Sequence, residues 1–136
     1  MASISPITNC EYKGIDHIAI ATTKEKFNST IKFLQQIGGF WYHTGMCEEF
    51  NTNCAFIRFN NVDVEVITGE ASDKYARKFG GVVLHHLAIE GDGTETIKGA
   101  KPNMLIKFEP LSKTSILIEK VTYARNNVWD KLKRIF

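Results

Sequence analysis

Four side chains able to hold a metal or move a proton recur in pairs along the chain, His17 with Glu65 and His86 with Glu119. Two imidazoles and two carboxylates make a borderline-to-hard donor set suited to one divalent ion, Zn, Ni, Co, Mn or Fe. Four donors on separate strands leave one or two coordination positions for water or substrate oxygens. Taken singly, each has a plainer role: a strand histidine is usually a hydrogen-bonded core or surface group, and a strand glutamate is usually solvated. What joins them is an internal repeat.

Asp16-His17-Ile18-Ala19-Ile20-Ala21 matches His85-His86-Leu87-Ala88-Ile89-Glu90, and the central four residues differ only by Ile for Leu. The segments Phe56-Ile57-Arg58-Phe59 and Leu105-Ile106-Lys107-Phe108 also correspond, and each leads into an alternating strand that carries a glutamate, Glu65 or Glu119. Order and spacing therefore repeat, not composition alone. His17 to Arg58 spans 41 residues and His86 to Lys107 only 21, so the second copy has lost about one helix with its connections. Strand alternation puts His17 beside Ala19 and His86 beside Ala88, small neighbours that leave room for a ligand, and turns His85 to the opposite face.

The elements that must position these groups follow from periodicity. Gly14 to Ala21 is a β-branched run that suits a buried strand. A helix follows at once, with Thr22 and Glu25 as a capping box and Phe27, Ile31 and Leu34 on one stripe, ending at Gly38-Gly39. Further strands are expected over Phe40 to His43, Cys54 to Phe59 and Val62 to Ile67, the last two joined by a tight Asn60-Asn61 turn. A link with some helical character around Tyr75 and Phe79 precedes a strand over Val82 to Glu90. A hairpin over Asn103 to Glu109 and Ser115 to Val121 follows, then a C-terminal helix with Val128, Leu132 and Ile135 on one stripe. His43, on an irregular segment, is expected in solvent. Phe40, Trp41 and Tyr42 read as core or as a pocket wall, and Arg58 and Lys107 as holders of an anionic substrate group or as residues flanking the sheet.

Ile15-Asp16-His17-Ile18-Ala19, Val64-Glu65-Val66-Ile67 and Leu84-His85-His86-Leu87-Ala88 together resemble the vicinal oxygen chelate superfamily over roughly Gly14 to Val121, with the double histidine closest to its methylmalonyl-CoA epimerase branch and glyoxalase I next. The resemblance implies an α+β fold in which two βαβββ modules, approximately 14–68 and 82–121, form one curled mixed sheet in a single domain, 1–136, with a helix appended over 125–136. It implies one divalent metal held by His17, Glu65, His86 and Glu119. It further implies an isomerase or lyase that moves an α-proton through an enolate, epimerase-like on an acyl thioester or glyoxalase-like on a hemithioacetal, with Glu119 as the first choice of base and Glu65 sharing the task. Other members are Fe(II) dioxygenases and non-catalytic small-molecule binding proteins, and both remain alternatives. The shortened second module favours a homodimer.

Composition narrows the partners. Seventeen basic and fifteen acidic side chains leave a net charge of +2 with no basic run, which gives no reason to expect nucleic acid. Apolar stretches are strand-sized, so no membrane span is expected, and the amino terminus lacks the pattern of an export signal. Cys10, Cys47 and Cys54 form neither a disulfide set nor a CxxC pair and read as packing residues in a reducing compartment. A cytoplasmic protein acting on a small molecule, possibly a thioester, is the expectation.

Overall fold

The computed structural model describes residues 14–112 and 116–123. In chain order its elements are β1 (Ile15–Thr22), α1 (Phe27–Gln36), β2 (Phe40–Cys47), β3 (Thr52–Phe59), β4 (Val62–Gly69), α2 (Glu70–Arg77), β5 (Val82–Glu90), β6 (Ile97–Lys98), β7 (Met104–Pro110) and β8 (Leu117–Tyr123). The strands form one mixed sheet in the order β2-β3-β4-β1-β5-β8-β7-β6. Its two halves mirror each other. β1 runs parallel to β4 and β5 parallel to β8, and the antiparallel β1–β5 pair joins them at the centre. The expected α+β curled sheet is therefore present. The second copy keeps four strands, counting the two-residue β6 that periodicity did not reveal, and lacks the helix between its first two.

Alternation sorts each strand into two apolar layers. Ala55, Ile57 and Val66 face outward and meet Ile31 and Leu34 of α1, the i, i+3 stripe that the helix buries. Each large side chain removed from water there stabilises the fold by roughly 1.5–3 kcal/mol. Phe56, Ile67, Met104, Ile106 and Val121 face inward, packed with Ala21 and Ala88. The sheet curls until its ends meet: Gly45 of β2 lies so close to the Ala100 carbonyl that a Cβ at position 45 would collide with it. In the same seam His43 Nε2 is 3.1 Å from Ala100 O and Cys47 Sγ is 3.4 Å from Lys98 O. His43 is thus half-buried rather than in solvent, because the seam covers it.

The entry to α1 differs from the expected capping box. Thr22 is the buried last residue of β1, and a 3-10 turn over Lys24–Lys26 precedes the helix. Thr23, its N-cap, makes no side-chain capping bond. The carboxylate of Asp73 in α2 takes that role, accepting the Lys24 N–H at 2.7 Å, while Glu25 pairs with Arg77 at 2.8 Å. A tertiary contact thus replaces the local cap. Asn60 takes a positive φ of 45°, as expected of the β3–β4 turn. The C-terminal helix expected over 125–136 and Cys10 lie outside the described residues. No described helix is long and apolar enough to cross a membrane.

Candidate metal centre

Cross-strand register explains how residues far apart in sequence converge. Ala19 of β1 is in register with Glu65 of β4 on one side and His86 of β5 on the other. Ala88 of β5 is likewise in register with His17 of β1 and Glu119 of β8. Two neighbouring rows of the sheet thus carry Glu65-Ala19-His86 and His17-Ala88-Glu119. Both alanines are wholly buried, and their short side chains form a floor over which the four longer ones lean together.

His17, Glu65, His86 and Glu119 are all buried, and one donor atom from each lies within 4.8 Å of the others. His17 Nε2 is 2.9 Å from Glu65 Oε1, 3.1 Å from Glu119 Oε1 and 3.2 Å from His86 Nε2. His86 Nε2 is 3.3 Å from Glu65 Oε1 and 3.6 Å from Glu119 Oε1. Donors bonded at about 2.0–2.2 Å to one ion, at tetrahedral or octahedral angles, stand about 2.8–3.6 Å apart. Glu65 Oε1 and Glu119 Oε1 are buried and face only the two imidazoles, with no hydrogen bond of good geometry to either, so both oxygens remain aimed at the point where a cation would sit. A buried His/Glu group capable of binding a metal is therefore present.

Charge within the cluster is mutually supported. Burial alone would discharge His17, but Glu65, Asp16 and Glu119 hold it well above its ordinary pKa; burial likewise opposes charge on His86, and Glu119 and Glu65 hold it up. Burial works to raise both glutamates, yet His17 and His86 hold Glu65 well below and Glu119 below the usual carboxylate range. Without metal the group is two imidazolium–carboxylate pairs; with metal, the ion takes the place of the protons.

A second ring of contacts aims the imidazoles, and it arises from two bulges. Pairing along β1 and β5 skips Asp16 on one strand and His85 on the other. Each skipped residue immediately precedes a cluster histidine. A bulge frees a side chain from strict alternation. Asp16 Oδ2 lies 2.8 Å from His17 Nδ1, and His85 Nδ1 lies 2.7 Å from His86 Nδ1. His85 also lines the cavity below, so it does not point to the opposite face as alternation predicts. Burial, then the neighbouring His86, lowers its pKa to about 4, so its ring is neutral and its Nδ1 can accept the His86 Nδ1–H. The only hint of these supports in the sequence is that Asp16 and His85 occupy equivalent places in the repeat.

The concave face has a closed end and an open one. Along β4, Asp63, Glu65 and Ile67 share a face. On the Asp63 side, Arg58 and Tyr42 bind Asp63, and Lys101 Nζ sits 3.2 Å from Tyr42 Oη and 4.7 Å from the Phe56 ring centre. On the Ile67 side a cavity of about 510 Å³ opens, floored by Glu65, His86 and Glu119 and walled by Phe50, Ile67, Tyr75, Met104, Ile106, Phe108 and Leu117. Arg58, buried and ion-paired with Asp63, belongs to the closed end and Lys107 is exposed; neither lines the cavity. Phe40 and Trp41 are 67% and 40% exposed, so they are neither core nor pocket wall. Cys47 and Cys54 are buried cavity walls whose thiols burial pushes up, which keeps them protonated.

No family model and no curated protein matches the chain. Solved structures do. Streptomyces coelicolor methylmalonyl-CoA epimerase in complex with 2-nitronate-propionyl-CoA superposes with a TM-score of 0.69 at 24% identity, covering 82% of this chain and 97% of that one. Methylmalonyl-CoA epimerase from Mycobacterium tuberculosis gives 0.67 at 19% identity over 79% and 86%. A methylmalonyl-CoA epimerase in complex with methylmalonyl-CoA and NH4+ gives 0.66 at 22% identity over 84% and 96%. The curled half-barrel is thus the vicinal oxygen chelate fold, and these three structural neighbours are methylmalonyl-CoA epimerases.

Proposed function

We propose, from the vicinal oxygen chelate fold and the buried His/Glu group at the floor of its cavity, that this protein is a divalent-metal-dependent isomerase that moves the α-proton of an acyl thioester in the manner of an epimerase. The observation that carries this reading is the convergence of four buried donors, two imidazole nitrogens and two carboxylate oxygens, on one point that the cavity reaches. His17, Glu65, His86 and Glu119 would hold the ion, which when bound supplies Lewis-acid polarisation of a substrate oxygen.

The chain's own groups account for the rest. Asp16 and His85 engage Nδ1 of each imidazole, which leaves Nε2 facing the glutamates. The apolar wall limits water around the glutamates, an effect that raises their basicity against the lowering by His17 and His86. Glu119, from β8, takes the α-proton, breaking the C–H bond and leaving its electron pair delocalised onto the carbonyl oxygen. Glu65, from β4 in the other half of the sheet, stands across the cluster; a proton that it takes from solvent through the cavity is delivered to the opposite face, which inversion requires, and Glu119 releases its own to solvent. A glyoxalase-like reaction on a hemithioacetal would use the same groups to shift a proton between neighbouring carbons.

Deuterium exchange at the α-carbon separates these outcomes. Protein loaded in turn with Zn, Ni, Co, Mn and Fe(II) is incubated in deuterated water with a panel of thioesters and hemithioacetals. Exchange that needs metal and is lost in Glu119→Gln supports the proposal. Absence of exchange across the panel, with ligand binding unchanged in Glu119→Gln, would leave a non-catalytic binding protein. We further propose a homodimer; a monomer mass in sedimentation at micromolar concentration would refute it.

A further inference from the structure

We infer that the acyl group accepted at this site is uncharged, a 2-substituted 3-oxoacyl or similarly neutral thioester, and not the thioester of a dicarboxylic acid. This rests on the reading of the site as a metal-dependent thioester enzyme. It separates the chain from the structural neighbour whose complex contains methylmalonyl-CoA.

Charge balance at the floor is the first ground. Glu65 and Glu119 contribute two negative charges, so a divalent ion held there is neutralised by the protein alone, His17 and His86 being neutral as ligands. A third carboxylate, from the substrate, would make a buried centre net negative. The cost of an unbalanced charge in an apolar surround is steep.

The second ground is where the cations of the concave face are committed. Arg58 and Lys101 stand at the closed end, gathered around Asp63 and Tyr42, on the far side of the ligand row from the cavity. Among the described residues no lysine or arginine lines the cavity, whose walls are apolar apart from the neutral Thr52, Ser72, Tyr75 and His85 and the two thiols. A substrate carboxylate would find Glu65 and Glu119 beside it and, among the described residues, only uncharged groups to face it. A methyl ketone of the same shape would meet van der Waals contacts and leave no buried charge unpaired. Ala71 lines the cavity but is exposed, which places it at the mouth.

An isosteric pair tests the inference by binding, independently of turnover. The probes are the pantetheine thioesters of 2-methyl-3-oxobutanoic acid and of methylmalonic acid, titrated into Co(II)-loaded protein and followed by calorimetry and by the Co(II) visible spectrum. The neutral thioester is expected to bind about tenfold or more tighter. Equal or tighter binding of the malonyl thioester, or no binding of either at millimolar concentration, overturns the inference. The variant Ala71→Lys places a cation at the mouth. It is expected to raise malonyl affinity several-fold and leave the neutral thioester unchanged; no effect on either overturns the explanation by missing cations. A neutral preference without metal-dependent α-proton exchange would leave this inference standing and remove the epimerase reading.

Discussion

The Nδ1 atoms of His85 and His86 lie 2.7 Å apart, an arrangement possible only if one ring donates and the other accepts. His85, whose pKa is lowered to about 4 by burial, is the neutral acceptor, and Tyr75 of α2 packs edge-on against it at 5.6 Å. With His86 Nδ1–H donated to that acceptor, it is Nε2 that would lose its proton and offer a lone pair when a metal binds. His85→Leu is therefore expected to weaken Zn or Co(II) binding about 10- to 100-fold and to alter the Co(II) visible spectrum. His85→Asn, which restores an acceptor, recovers part of the affinity. A wild-type dissociation constant for His85→Leu, measured by chelator competition, would refute the role.

Asp16 stands to His17 as His85 stands to His86, but it is an anion, and Tyr123 Oη lies 3.3 Å from both of its oxygens. Asp16→Ala is expected to cost metal affinity in the same range and Asp16→Asn less, because an amide oxygen still accepts from Nδ1–H. Equal losses in the two variants would show that packing, not the hydrogen bond, is what Asp16 contributes.

The cluster makes stability depend on pH in opposite senses with and without metal. His17 and His86 are held above their ordinary value, so their contribution to the metal-free fold is complete below about pH 6.5 and lost as pH rises through the raised values. Glu65 and Glu119 are held below theirs, so their contribution is complete above about pH 4.3 and lost as pH falls. The metal-free protein is thus best supported by the cluster between about pH 4.3 and 6.5. Metal requires neutral imidazoles and strengthens as protons leave. The gap in Tm between metal-loaded and chelator-stripped protein should widen from about pH 6 to 8; a gap that narrows contradicts the assigned ligands.

Closure of the sheet depends on Gly45, where only a hydrogen fits against the Ala100 carbonyl. Gly45→Ala should destabilise the protein by about 1–3 kcal/mol in urea unfolding, the range for overpacking a filled site. Gly14→Ala is a control for the added methyl alone: Gly14, like Gly45, has no positive φ, and nothing lies within 4 Å of the added carbon. Equal losses at the two positions would mean that the seam is loose.

The repeat made the four donors legible, because equivalent strands in two copies must occupy equivalent places about the β1–β5 pair, and alternation then fixes which side chains share a face. It also made α1 and most strands legible, since amphipathic periodicity and turn residues act locally. Three things were decided only by the tertiary structure. The bulges at Asp16 and His85 arise from the mismatch of β1 against β5, which neither strand shows alone, and they turn His85 inward against its expected parity. The cap of the 3-10 turn before α1 comes from Asp73, 49 residues away from Lys24. The placement of Arg58 and Lys101 behind the ligand row, instead of in the cavity, depends on the curl that brings the β6–β7 turn against β2. Local chemistry chose the donors, whereas the curvature of the sheet chose the side from which a substrate reaches them and the charge it meets there.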